Sequence, residues 1–283
     1  MNFSLGPLQY CWEKSAVESF YDAVAASPIP LVYLGETVCS KRRLLRWQDY
    51  LAIAQKLQQA GKSVVLSTLA LVQSDAEIKE CKKQLENGTF TLEVNDMGMV
   101  ALAVELKLPF VCGPGINNYN LTSLQKMADW GMQRFVMPVD LSRKWLEPII
   151  ASKPSFEIEV FGYGYLPLAH SARCFTARHH QLKKDDCDTI CQRYPKGLLS
   201  QTMEHQDLLR INGIQTQSAA CCDLRKDIPT MANMGIDWFR ISPFSVEHIA
   251  MATALINGEP HTLLDATNRC NGYWHEAAGM TLV

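Results

Sequence analysis

The feature that most constrains the fold is an alternation, sustained along the whole chain, of short apolar runs with longer stretches whose apolar residues recur at helical spacing. The runs Phe3 to Gly6, Leu31 to Gly35, Ser63 to Ser67, Thr91 to Val94, Phe110 to Cys112, Arg134 to Met137, Phe156 to Phe161 and Trp238 to Ile241 read as eight strands. Helices are predicted between them over Lys14 to Ala26, Arg43 to Ala60, Asp75 to Glu86, Met97 to Leu106, Leu121 to Trp130, Lys144 to Ala151 and Asp227 to Met234, with a last one over Val246 to Ile256. Eight such units in 283 residues match a TIM-like (β/α)8 barrel, an α/β fold of typically about 250 residues. A doubly wound open sheet is the competing arrangement, but no G-x-G-x-x-G follows the first strand.

One stretch breaks the alternation. Residues 162–226 read as an insertion after strand seven, within a single barrel domain spanning 1–283. Its first part carries Cys174, Cys187 and Cys191 among Arg, Lys, Asp and Gly, with no sustained periodicity. Its second part reads as a hairpin, Leu208 to Ile211 and Ile214 to Ser218, turning at Asn212-Gly213. In a barrel, the loops that leave the C-terminal ends of the strands share one face. Cys39 follows strand two and the other three cysteines follow strand seven, so four thiolates can converge there. Such a set suits tetrahedral zinc or an iron-sulfur cluster, since both take soft ligands. Cys187 and Cys191 form only one tight pair, which fits paired zinc knuckles less well than a cluster, and a metal-free site stays open.

Composition narrows the classes of function. A net charge of -2 and a sequence pI near 6.4 exclude a broad basic face of the kind nucleic-acid binding needs. The N-terminus shows no basic segment followed by an apolar core and cleavage site, and no apolar run reaches the roughly 18 residues of a membrane span. A cytoplasmic address is therefore expected, where the ten cysteines stay reduced. Cys11, Cys81, Cys112 and Cys270 read as packing residues, while the adjacent Cys221 and Cys222 are weaker site candidates. Glu36, Asn95, Asp96 and Asp140 follow strands on the chemical face and are candidates for contacts there or for helix caps. Arg173, beside Cys174, could bind a carboxylate or offset cluster charge.

The run Glu159-Val160-Phe161-Gly162-Tyr163-Gly164, continuing through Ser171-Ala172-Arg173-Cys174, resembles the signature of the collagenase-like peptidase family of unknown catalytic type. That signature reads E-x-F-x-x-G, a small residue, an aliphatic one, a cysteine, then G-x-C. Here Pro167 stands where the first signature cysteine belongs, and Ala172 replaces the glycine before Cys174. The blocks SLGPLQYCW, LGETVCSKRR, LPLAHSARCFTARHH, NGIQTQSAACC and NGYWHEAAGM resemble the branch of that family serving ubiquinone biosynthesis. The resemblance implies a 4Fe-4S cluster held by Cys39, Cys174, Cys187 and Cys191, with Cys39 replacing the ligand lost at Pro167. It also implies a heterodimer with a related UbiU-like chain, oxygen-independent hydroxylation of the ubiquinone ring, and prephenate as hydroxyl donor. The lipid precursor is then expected from a carrier protein or across the partner interface, since the chain shows no amphipathic basic anchor. Peptidase activity is not expected. No Ser, His and Asp grouping stands out, and His170, His179 and His180 are only sequence neighbours of Cys174.

Overall fold

A computed structural model describes residues 1–259 and 268–283. Its frame is a closed barrel of eight parallel strands: β1 (Asn2–Leu5), β2 (Leu31–Leu34), β3 (Ser63–Ser67), β4 (Thr91–Val94), β5 (Phe110–Cys112), β6 (Met132–Val136), β7 (Glu157–His170) and β11 (Trp238–Ile241). Each pairs with the next in chain order, and β11 pairs with both β7 and β1 to close the ring. The expected (β/α)8 barrel is therefore the observed fold.

Helices α1 (Lys14–Ala25), α2 (Trp47–Gln59), α3 (Asp75–Leu85), α4 (Met97–Glu105), α5 (Leu121–Asp129) and α6 (Arg143–Ala151) connect successive strands. Their starts follow from capping: Ser74, Asp96, Asn120 and Ser142 each accept a bond from a first-turn backbone N–H. Along the strands the side chains alternate. Val32 and Leu34 pack outward with the helices, while Leu31 and Tyr33 share an inner cluster with Val65, Val111 and Val136. Both faces are dry, which is why these strands read as continuous apolar runs.

Several expected boundaries move, two of them for reasons visible in the hydrogen bonding. The second helix begins at Trp47 rather than Arg43, because the Arg46 N–H bonds the Asp49 carboxylate at 2.7 Å and so caps the helix there. Strand seven continues past Phe161 to His170. Its outer half leaves the barrel and pairs antiparallel with β10 (Gln215–Asp223), which in turn pairs with β9 (Asp207–Asn212), and β9 with β8 (Leu198–Gln201). The Asn212-Gly213 turn thus closes a hairpin between β9 and β10. The short helix α7 (Phe175–His179) and the cysteine-bearing turns fill the space between β7 and β8. After β10 the chain returns through α8 (Ile228–Met234) to β11 and α9 (Glu247–Asn257), and a short strand β12 (Arg269–Cys270) pairs with β10.

Candidate functional site

The C-terminal ends of the barrel strands surround a cavity of about 500 Å3, within the range of ligand pockets. Thr37 lines it from beyond β2, Ala70 and Leu71 from beyond β3, Asn95 from beyond β4, and Pro138 and Asp140 from beyond β6. The outer half of β7 supplies Pro167, Leu168, Ala169 and His170. Two glycines let the strand ends crowd together here. A Cβ on Gly35 would stand 2.3 Å from the Ser67 carbonyl, and one on Gly113 would stand 1.9 Å from Asn95 Oδ1.

The floor of this cavity is charged. Arg240 on β11 is 2% exposed, and its Nε and Nη1 donate to Glu159 and Glu93 at 2.7 Å each. Its guanidinium lies over the Tyr33 ring at 3.9 Å. Ser4 and Tyr33 donate to the two oxygens of Glu159, and Ser67 donates to Glu93. Burial pushes the Glu159 carboxyl up, but Arg240 and Arg134 outweigh it and hold the group below the ordinary carboxylate range. Burial likewise lowers His170 to about 4, and that ring faces Gln215.

The cysteines lie beside this cavity. Val38, Cys39 and Ile214 form a small buried cluster, with Leu71 and Cys174 packed on it. Leu71 both packs on this cluster and lines the cavity. Burial raises the Cys174 thiol, and the nearby Cys191 and Cys187 sulfurs add to the effect. Cys39 is also raised by burial, with Glu36 contributing and Cys174 close enough to be felt. Cys191 is pulled down, chiefly because the Cys11 thiol donates to it, with Arg42 also bonded to its sulfur.

All ten cysteines are free thiols. Among the described residues no three His, Cys, Asp or Glu side chains stand close enough to hold a metal as they are. The chemistry of the donor set nonetheless fits a cluster. Cys39, from after β2, and Cys174, from after β7, pack in one small cluster, and a buried cation stands beside them. Arg42 donates to the Gln9 carbonyl and to Asn212 at 2.7 Å each, lies 3.7 Å from Glu36, and has a buried Nε with no partner. Such a cation offsets the negative charge that four thiolates impose on a bound centre.

The other sequence candidates divide. Asn95 and Asp140 line the cavity, and Asp140 accepts from the Tyr119 hydroxyl at 3.2 Å. Glu36 accepts from the N–H groups of Val38 and Cys39 at 2.8 and 3.0 Å and so shapes the turn that carries the sulfur. Asp96 caps α4, and Arg173 is exposed. His180 bonds Tyr194 at 2.8 Å. Cys221 and Cys222 are buried in β10 opposite Tyr165 and Gly164. Sequence reasoning missed Arg240, Glu93 and Arg42, and it read Cys11 as packing although its sulfur meets Cys191. The signal for the first two was a single charge inside each of the short strands WFRI and TLEV.

A β/α barrel with its cavity and cysteines on the C-terminal face defines a class, and comparison with known proteins gives the family. Residues 13–255 match the model of peptidase family U32, and the chain belongs to that family. It is 29% identical over 116 residues to the tRNA hydroxylation protein P of Escherichia coli (strain K12). That match covers 40% of this chain and 25% of the relative, so the chain spans about a quarter of the curated relative it matches. Among solved structures it is similar to dihydropteroate synthase from Thermus thermophilus, at 12% identity and a TM-score of 0.44 over 90% of this chain and 94% of that one. It is also similar to the spore coat polysaccharide biosynthesis protein spsE of Bacillus subtilis, at 11% identity and a TM-score of 0.40 over 56% and 52% of the two chains. No helix among the described residues is long and apolar enough to cross a membrane.

Proposed function

We propose that this chain is a UbiV-like, 4Fe-4S-bearing subunit of an oxygen-independent hydroxylation system in anaerobic ubiquinone biosynthesis, acting in the cytoplasm with a UbiU-like partner. The observation that carries the reading is the meeting of Cys39 and Cys174 around Ile214, with Cys191 and Cys187 close to Cys174 and the Arg42 cation beside them. The hydroxylation-related name of the Escherichia coli relative supports the reaction class.

Cys39, Cys174, Cys187 and Cys191 would hold the cluster, and a 4Fe-4S centre supplies one-electron chemistry when bound. The chain's own residues do the rest. Glu36 fixes the backbone at Cys39 through two N–H bonds. Arg42 ties that turn to the β9–β10 hairpin through Asn212 and balances thiolate charge. Leu71 links the two regions, since it packs on the Cys39 cluster and also lines the cavity. Prephenate is the proposed hydroxyl donor of the system, and a carrier protein the proposed source of the lipid precursor.

The test is purification without oxygen, followed by visible absorbance and assays of iron, sulfide and zinc. About four irons and four sulfides per chain with broad visible absorbance support the proposal. Stoichiometric zinc in a colourless protein overturns it in favour of a zinc-stabilised partner protein. In cells, deletion of the gene lowers the quinone pool without oxygen and leaves the aerobic pool intact; an unchanged anaerobic pool rejects the pathway role.

A further inference from the structure

Two residues that line the cavity at the barrel mouth, Arg240 and Thr37, each carry a buried polar atom without a partner. Arg240 uses Nε and Nη1 on Glu159 and Glu93, while its Nη2 has no partner. Thr37, 5% exposed and also lining the cavity, has a hydroxyl without a partner. A buried N–H left unmatched costs about 1–3 kcal/mol, so such groups mark places where something else supplies the acceptor. The lining also includes the apolar residues Pro114, Pro138, Val139, Pro167 and Leu168.

The charge of the lining decides what kind of acceptor fits. Arg240 already faces two carboxylates, and Asp140 adds a third acidic group at the rim. His170, which also lines the cavity, is held neutral at pH 7 by its burial. An incoming carboxylate or phosphate would find Arg240 already shared by Glu93 and Glu159 and Arg134 already engaged by Glu157 and Glu159, and would be desolvated against those carboxylates. A neutral oxygen takes the Nη2 hydrogen bond without that repulsion.

We propose that the barrel-mouth cavity binds a neutral, ring-bearing small molecule whose carbonyl or phenol oxygen accepts hydrogen bonds from Arg240 Nη2 and the Thr37 hydroxyl, with the ring against the proline-rich wall. Glu93 and Glu159 are positioning residues, since they fix the guanidinium in the orientation that leaves Nη2 free. Within the hydroxylation reading, this gives the chain a neutral ring and leaves a dicarboxylate donor to another surface. That last assignment rests on the proposed function; the binding itself does not.

Ligand-observed NMR on the full chain, purified without oxygen, tests the site with acetophenone and benzoate, two probes of nearly equal size that differ in charge. Acetophenone is expected to bind saturably, and benzoate at least about fivefold more weakly. Ala70→Phe, which fills the cavity from a residue outside the charged floor, is expected to abolish acetophenone binding. Thr37→Val is expected to weaken it by about threefold, and Arg240→Gln to remove it if that variant folds. Benzoate binding equal to or tighter than acetophenone, no saturable acetophenone binding, or binding untouched by Ala70→Phe would each overturn the proposal. Iron is assayed on the same samples, so loss of the cluster reading and loss of the ligand site are told apart.

Discussion

The barrel floor and the cysteine-bearing segment treat buried polarity in opposite ways. At the floor, Arg240, Glu93 and Glu159 pair within hydrogen-bonding distance and are braced by Ser4, Tyr33 and Ser67. That network is nearly complete within the chain, with Arg240 Nη2 left without a partner. In the segment between β7 and β8, thiols gather beside a cation that keeps an unpartnered Nε, and the Cys11 thiol donates to Cys191. The first arrangement pairs opposite charges within the chain, whereas the second sets thiols beside a cation.

The contrast can be broken or sharpened by substitution. The largest expected effect is on metal content: Cys174→Ala loses essentially all iron, whereas Cys81→Ala, which empties a buried position between helices, keeps it. Equal iron loss in both would contradict the ligand set. Next, Glu159→Ala strands Arg240 at the floor and is expected to cost about 3–5 kcal/mol in urea unfolding. A cost below about 1 kcal/mol would mean that the floor network does not hold the barrel.

The pH response is smaller. A folded-state value of about 4 at His170 lies below the ordinary 6.5, so between those limits the unfolded chain binds the extra proton. Stability is therefore full above about pH 6.5 and declines as pH falls toward 4, by about 1–2 kcal/mol from this group once its part exposure is discounted. His170→Gln should flatten that part of the stability curve; an unchanged slope would remove the histidine from the account. Smallest is Asn120→Ala, which removes the α5 cap at 2.9 Å and should lower stability by about 1 kcal/mol without changing iron content.

Much of the frame was legible because each strand is buried on both faces and each helix on one, so the apolar pattern carries the alternation directly. The starts expected at Asp75 and Leu121 agree with the structure, where Ser74 and Asn120 cap those helices. The missed boundaries have physical causes. Strand seven reads as ending at Phe161 because Gly162 and Gly164 punctuate it, yet those glycines let the strand pass close to neighbours: a Cβ on Gly162 would stand 2.2 Å from the Phe239 ring. The start of α2 was misplaced because Leu44 and Leu45 continue the helical stripe, and only the Asp49 cap shows where the helix begins. At the site, Asn95 and Asp140 were found from their place after strands. Arg42 and Cys11 were not, since their roles depend on β9 and Cys191, roughly 170 to 180 positions away.

Strand β7 joins the barrel to its outer extension within one continuous sheet. Its inner half, paired with β6 and β11, is a stave of the barrel, and its outer half, paired with β10, is the backbone from which the cysteine segment is hung. Pro167, at a register shift in that outer half, faces the cavity. Tilting the outer sheet would shift the pocket wall and the Cys174 turn together, as one lever moves both of its arms.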